Sequence, residues 1–191
     1  MKRLAIISGI LALAVPLALA QTSTWTSDTR HSEVDFSIKH LSVSNVHGRI
    51  GNVAATIVLN EADITKSTVT ATIDVATIDT GVADRDKHLK SPDFFEVDKF
   101  PTASFASTGV VKNGSNLTVT GNLTLHGVTR PVVLNVGSPG EPVQGMDHKP
   151  HTGFTATTII GRSDFDIGSK FPAAMVGDEV KLTIELEIVK Q

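Results

Sequence analysis

The chain has 191 residues, with 17 Lys and Arg against 20 Asp and Glu and a formal net charge of −3. That mildly acidic balance contains no basic block, and nucleic-acid binding needs clustered cations to meet phosphate. Cysteine is absent, which excludes disulfides, thiolate metal sites, a cysteine nucleophile and an N-terminal lipidated cysteine, so an exported form of the chain must be held by packing alone.

Lys2 and Arg3 open the chain, and Leu4 to Val15 is an apolar run broken only by Ser8 and Gly9. Pro16 follows, then Ala18-Leu19-Ala20, small residues of the kind a signal peptidase accepts. The pattern predicts a secretory signal peptide over residues 1–20, cleaved after Ala20. The run falls short of the ~20 apolar residues of a membrane span, so no stable membrane insertion is expected. Residues 21–191 are expected to form one domain, with a net charge of about −5 once Lys2 and Arg3 are removed.

The remainder reads as strands, because side chains alternate across a sheet with period two. Val34, Phe36 and Ile38 alternate with Glu33, Asp35, Ser37 and Lys39, and His40 extends the apolar face. Val69, Ala71, Ile73 and Val75 repeat the pattern. Asp84 to Phe95 breaks it and predicts a short helix or ordered loop, with Pro92 stopping the helix near Lys90. Asn113-Gly114 lies between the strand-like runs 102–111 and 115–125 and signals a hairpin. His126-Gly127 separates the second run, with Leu117, Val119, Gly121, Leu123 and Leu125 on one face, from 129–136. Gly137 to Pro150 predicts a mobile surface loop. Phe154, Ala156, Thr158 and Ile160 form a weaker strand, and Val180, Leu182, Ile184, Leu186 and Ile188 the clearest one. Eight or nine strands with short links predict an all-β, antiparallel barrel or sandwich.

A closed eight-stranded barrel is either filled by side chains or holds one small ligand. The inward candidates are mostly aliphatic, and the chain has one Trp, eight Phe and no Tyr, so the walls are slight and a cavity is expected. An apolar tube selects an apolar chain, since each buried methylene contributes ~0.8 kcal/mol.

Several ordered stretches resemble the YceI family. They are His31 to Leu41, Ile78-Asp79-Thr80-Gly81, Arg85 to Ser91, Asp93-Phe94-Phe95, Phe100-Pro101 with Phe105 and Ser107, Gly121 to Thr129, and Arg162-Ser163-Asp164-Phe165. The resemblance implies an eight-stranded antiparallel lipocalin-like barrel, with the short helix or ordered loop near residues 84–95, holding a long-chain polyisoprenoid or similar fatty amphiphile. It also implies a periplasmic location and allows a homodimer. Two positions depart from the family pattern: Asp166 stands where Gly often follows the Phe, and Ile50 stands where a Phe commonly follows Gly48 by two residues.

The expected ligand-binding residues combine the apolar faces with these stretches. Phe36, Ile38, Ile73, Leu123, Leu125, Phe154, Ile184 and Leu186 come from the alternating faces, with Phe105 and Phe165 from the matching stretches. Phe94 and Phe95 are adjacent, so one is expected to lid the cavity while the other packs outside. Arg85 and His88 either meet a ligand headgroup at the barrel mouth or, with Asp86, pin their segment to the barrel, and His40 sits at the end of an apolar face. Neither a cofactor nor a metal site is expected: His148 and His151 with Asp147 flank a proline in a loop, a poor start for tetrahedral zinc. No G-x-S-x-G, H-E-x-x-H or phosphate-cradling glycine loop is present, so a periplasmic carrier or storage protein is expected rather than an enzyme acting on the bound lipid. A filled barrel would instead indicate a ligand-free structural or stress-related periplasmic protein.

Overall fold

The computed structural model describes residues 21–191, and the expected signal segment lies outside the described residues. In chain order the strands are β1 (Thr22–Ser27), β2 (Glu33–His40), β3 (Ser44–Ile50), β4 (Val53–Asn60), β5 (Thr68–Asp74), β6 (Thr102–Asn113), β7 (Asn116–Leu125), β8 (Val128–Val136), β9 (Val143–Gln144), β10 (Pro150–Gly161) and β11 (Val176–Lys190). The helix α1 (Ala83–Lys90) lies between β5 and β6. It ends where Ser91 turns its hydroxyl back to the His88 carbonyl at 2.7 Å, just before Pro92.

Every ladder is antiparallel, and eight strands close a ring in the order β11-β1-β4-β5-β6-β7-β8-β10, completed by the β10–β11 ladder. The long strand β11 is the keystone. One edge pairs with β10 from His151↔Val189 to Gly161↔Glu179. The other edge is shared, β1 taking the C-terminal end and β2 the stretch before it. The β2–β3 hairpin therefore prolongs the wall beyond the ring at one end, and its outer edge is tied back by backbone bonds between Arg49 and Asp79. This hairpin and the two-residue β9 bring the strand number above the eight or nine expected, because the inward face of β3 is only Val46, Gly48 and Ile50, with a glycine at its centre.

The alternation places the apolar faces inward as expected, yet many inward residues are only half-buried. Phe36, Ile38, Ile73, Leu123, Phe154, Leu182 and Ile184 all fall in this class. In a packed interior such side chains would be sealed off from solvent, so their residual exposure marks a hollow barrel. Solid packing is confined to three patches of wall, around Trp25, Phe105 and Phe165.

Gly137 to Pro150 is more ordered than the free loop expected. Its β9 pairs with Pro150 and His151, the Gly140 carbonyl accepts from the Thr152 hydroxyl at 2.6 Å, and the Gly140 amide donates to the Gly153 carbonyl at 3.2 Å. The segment folds across one end of the barrel.

Candidate functional site

The hollow interior comprises two chambers. The inner one, about 350 Å³, lies within the ring and is walled by Trp25, Phe105, Phe154, Ile184, Leu186 and other aliphatic residues, with Pro139, Gly140 and Pro142 across its end. The outer one, about 360 Å³, lies at the opposite end beneath α1 and the β2–β3 hairpin. Val34, Ile73, Leu123 and Leu182 line both, so the two chambers adjoin end to end along the interior, which is called the channel below. Each chamber alone is as large as a small ligand pocket, ~300–1,000 Å³.

The two walls differ in chemistry. The inner wall is almost wholly apolar. The outer wall adds Lys39, His40, Arg85, His88 and Arg162, with no carboxylate or hydroxyl side chain among its lining residues. All its charge is thus positive. His40 and Met175 are exposed and mark where this chamber meets solvent.

Arg162 is the structural centre of the outer end. Its side chain is buried, and all five N–H groups are spent on backbone carbonyls. Nε donates to Gly177 at 3.0 Å, Nη1 to Ile167 at 2.9 Å and Gly168 at 2.8 Å, and Nη2 to Phe171 at 2.6 Å and Val176 at 2.9 Å. A buried charge is costly unless it is fully hydrogen-bonded. Here the carbonyl dipoles compensate it and, in return, the guanidinium shapes residues 167–177 into one side of the outer wall. Asp166, which stands where glycine was anticipated, adopts the left-handed conformation at φ 56° and ends the 3-10 turn Arg162–Phe165.

The helix supplies the opposite side. Arg85 donates from Nε to the Thr80 hydroxyl at 2.7 Å and from Nη2 to the Thr80 carbonyl at 3.0 Å, and the Asp86 carboxylate accepts from the Thr80 amide at 2.8 Å. The pinning role weighed for Arg85 and Asp86 is therefore present in the geometry, while Arg85 also faces the chamber. His88 lies 3.1 Å from Asp93 through Nε2 and packs edge-on against Phe94 and Phe171, whose rings stack with centroids 4.9 Å apart. Lys170, and after it His88, hold the Asp93 carboxyl below the ordinary carboxylate range.

The structure brings Phe36, Ile38, His40, Ile73, Arg85, His88, Phe94, Phe95, Leu123 and Leu125 to the outer chamber, and Phe105, Phe154, Ile184 and Leu186 to the inner one. Two expectations need correction. Phe94 and Phe95 do not divide into a lid and an outward-packed ring, since both line the outer chamber. Phe165 lines neither chamber: it is 1 % exposed and packs with Phe94, Ile160 and Ile167 behind the outer wall. Sequence reasoning did not single out Arg162, Phe171, Met175 or Val176 as lining. The three last follow Gly168 in a segment with no alternation, and only the burial of Arg162 explains their placement.

At the far end, His151 bridges two carboxylates, Nδ1 to Glu187 at 2.8 Å and Nε2 to Asp147 at 2.9 Å. Glu187 first, then Asp147, raise the imidazole's pKa above its ordinary value. The neighbouring Asp28 is held by Arg30 and lowered to about 2.

A closed antiparallel eight-stranded barrel with an apolar interior defines a lipocalin-like fold. The chain belongs to the YceI-like family: the YceI-like domain matches residues 25–188. It is 40% identical over 162 residues to protein YceI of Salmonella newport, covering 85% of this chain and 83% of that protein. It is 35% identical over 198 residues to a UPF0312 protein of Vibrio parahaemolyticus, covering both chains in full. Among solved structures, the Campylobacter jejuni YCEI protein superposes with a TM-score of 0.71 at 32% identity, over 81% of this chain and 90% of that one. A polyisoprenoid binding domain from Saccharophagus degradans, implicated in plant cell wall breakdown, shares the fold at a TM-score of 0.65 and 15% identity, over 87% and 98% of the two chains.

Proposed function

We propose that this protein binds one long-chain amphiphile, a polyisoprenoid or similar lipid, and carries or stores it in the periplasm. The observation that carries the reading is the pair of adjoining chambers, lined by apolar side chains that would otherwise be left facing water. A chain of about twenty carbons would gain a gross ~16 kcal/mol from burial, enough for tight binding after ordering costs are subtracted. The tail fits the inner chamber. The polar end fits the outer chamber, where Lys39 and Arg85 favour an anionic group such as a phosphate. The polyisoprenoid-binding neighbour of the same fold favours an isoprenoid, and the N-terminal segment favours export.

The same geometry favours a binding protein over an enzyme. Hydrolysis or isomerisation needs a nucleophile or base converging on the ligand with a partner to orient it. The outer wall offers no carboxylate or hydroxyl, Arg162 has no free donor, and His88 is engaged by Asp93. The test is organic extraction of the purified protein followed by mass spectrometry. A stoichiometric isoprenoid or fatty lipid is expected, with affinity for a ligand series rising with chain length. Lipid-free protein that also takes up no chain lipid on titration would overturn the reading.

A further inference from the structure

One seam of the barrel is not zipped. β8 pairs with β7 continuously from Leu117↔Val136 to Leu125↔Val128, and β10 pairs with β11 along its whole length. Between β8 and β10, however, the ladder consists of Ala156↔Val136 and Thr157↔Asn135 alone. Continued in register, Thr158, Ile159 and Ile160 would face Leu134, Val133 and Val132, and those pairs are not made. The sequence carries a mark of this: Pro131 lies within β8, and proline, lacking an amide hydrogen, belongs on an open strand edge.

A depression of about 740 Å³ lies over the open seam, lined by the outward-facing Val133, Ile159 and Lys181 and by their chain neighbours Val132, Ile160 and Leu182, whose side chains face inward. Val132 and Leu182 also line the inner chamber, and Ile160 and Leu182 the outer one, so these residues alone stand between the depression and the channel. Val133 and Ile159 are 49 % and 58 % exposed, leaving an apolar rim. Behind the depression stands Phe165, the one expected lining residue that lies outside the channel. Its 3-10 turn is fastened to the β8 side by two side-chain bonds, Arg130 Nε to the Asp164 carbonyl at 3.1 Å and His126 Nδ1 to the Phe165 carbonyl at 3.0 Å.

We infer that the β8–β10 seam is a side portal of the channel, stoppered by Phe165, through which a chain lipid enters and leaves sideways rather than end-on. This rests on the lipid-binding reading above. Sideways passage allows a flexible chain to slip between strands without the whole tail being drawn past the cationic outer end. The opening motion lifts the Phe165 ring from Phe94, Ile160 and Ile167 and breaks the two side-chain bonds of its turn, but no strand ladder.

The chain has no cysteine, so paired thiols can be placed at will. In Val133→Cys/Ile159→Cys a short bis-maleimide bars the seam. In Asp93→Cys/Lys170→Cys, at an ion pair outside the chamber linings that joins the helix side of the outer end to residues 167–177, the same linker locks the outer mouth against widening. Loading is followed with cis-parinaric acid, a conjugated eighteen-carbon chain, by energy transfer from Trp25, the only tryptophan and part of the inner wall. The seam link should slow loading at least tenfold against its own unlinked form, with the same end point, while the mouth link leaves the rate within twofold. An unchanged rate with the seam barred, slowing by the mouth link alone, or equal slowing by both would overturn the portal. If the unmodified protein gives no energy transfer and yields no lipid on extraction, the lipid-binding reading itself fails.

Discussion

The two ends of the channel are built on different principles. The inner chamber is a product of the sheet, its wall made of alternating strand residues with no ionised group turned inward. The outer chamber is a product of tertiary wiring, with a short helix, a hairpin beyond the ring and residues 167–177 held in place by hydrogen bonds to charged side chains. Repetition gives the inner end a uniform apolar surface, which selects on length and hydrophobicity. The irregular outer end brings cations next to that surface, which selects on the polar group.

The first way to break this contrast is to cut the wiring. Arg162→Met leaves five backbone carbonyls without their donor, and an unsatisfied buried polar group costs ~1–3 kcal/mol. A loss of at least about 3 kcal/mol is expected in urea denaturation. Arg85→Met frees only bonds to Thr80 and should cost less than about 1.5 kcal/mol while weakening anionic ligands more than neutral ones. Equal destabilisation by the two would show that Arg162 does not organise the outer wall.

Each chamber also contains a phenylalanine laid flat over a glycine, and the pair sharpens the comparison. In the outer chamber Phe36 lies across Gly48, its partner on β3. In the inner chamber Phe105 lies across Gly121 on β7. The three atoms nearest a methyl group at Gly48 all belong to side chains, two in the Phe36 ring and one the Thr80 methyl. At Gly121 it meets the Phe105 ring and also the Ala106 carbonyl oxygen at 2.6 Å, which is backbone and cannot swing aside. Gly121→Ala should therefore cost ~1–3 kcal/mol, as overpacking does. Gly48→Ala should cost less stability but push the Phe36 ring into the bore and weaken a long-chain ligand several-fold. Paired thermal melts and titrations of the two variants check this, and the reverse ordering would refute it.

How much was legible follows the same division. Period-two alternation exposed β2, β5, β7, β10 and β11, hence the inner wall, because one wet and one dry face is a local property of each strand. The Asp84–Phe95 break exposed α1. The partner strand β3 was hidden because its inward face carries only Val46 and Ile50 on either side of Gly48, too little apolar side chain to signal a strand. Residues 171–176 were hidden because a buried arginine sets their course from a distance, and a single Arg in sequence looks like any surface cation. Phe165 was misplaced for a related reason: a phenylalanine in a stretch that resembles the family reads as cavity lining, and only its burial and packing show that it stands behind the wall. Pro131 was the unread clue to the β8–β10 seam.

The smallest expected effect concerns how the two ends respond to pH. Asp93 at the outer mouth is lowered below its ordinary 3.8, so its contribution is present above 3.8 and is lost as pH falls through the depressed value. His151 at the far end is raised above its ordinary 6.5, so its contribution is complete below 6.5 and is lost as pH rises through the raised value. Across pH 5.5–8.5 only the far end should loosen, because protonated His151 ties Glu187 on β11 to Asp147 in the segment that crosses the inner chamber. His151→Gln keeps hydrogen-bonding capacity but removes the titration. The melting temperature of the variant should lie furthest below the parent at pH 5.5 and approach it by pH 8.5. A gap independent of pH would mean that His151 acts through packing alone and that charge does not hold the far end closed.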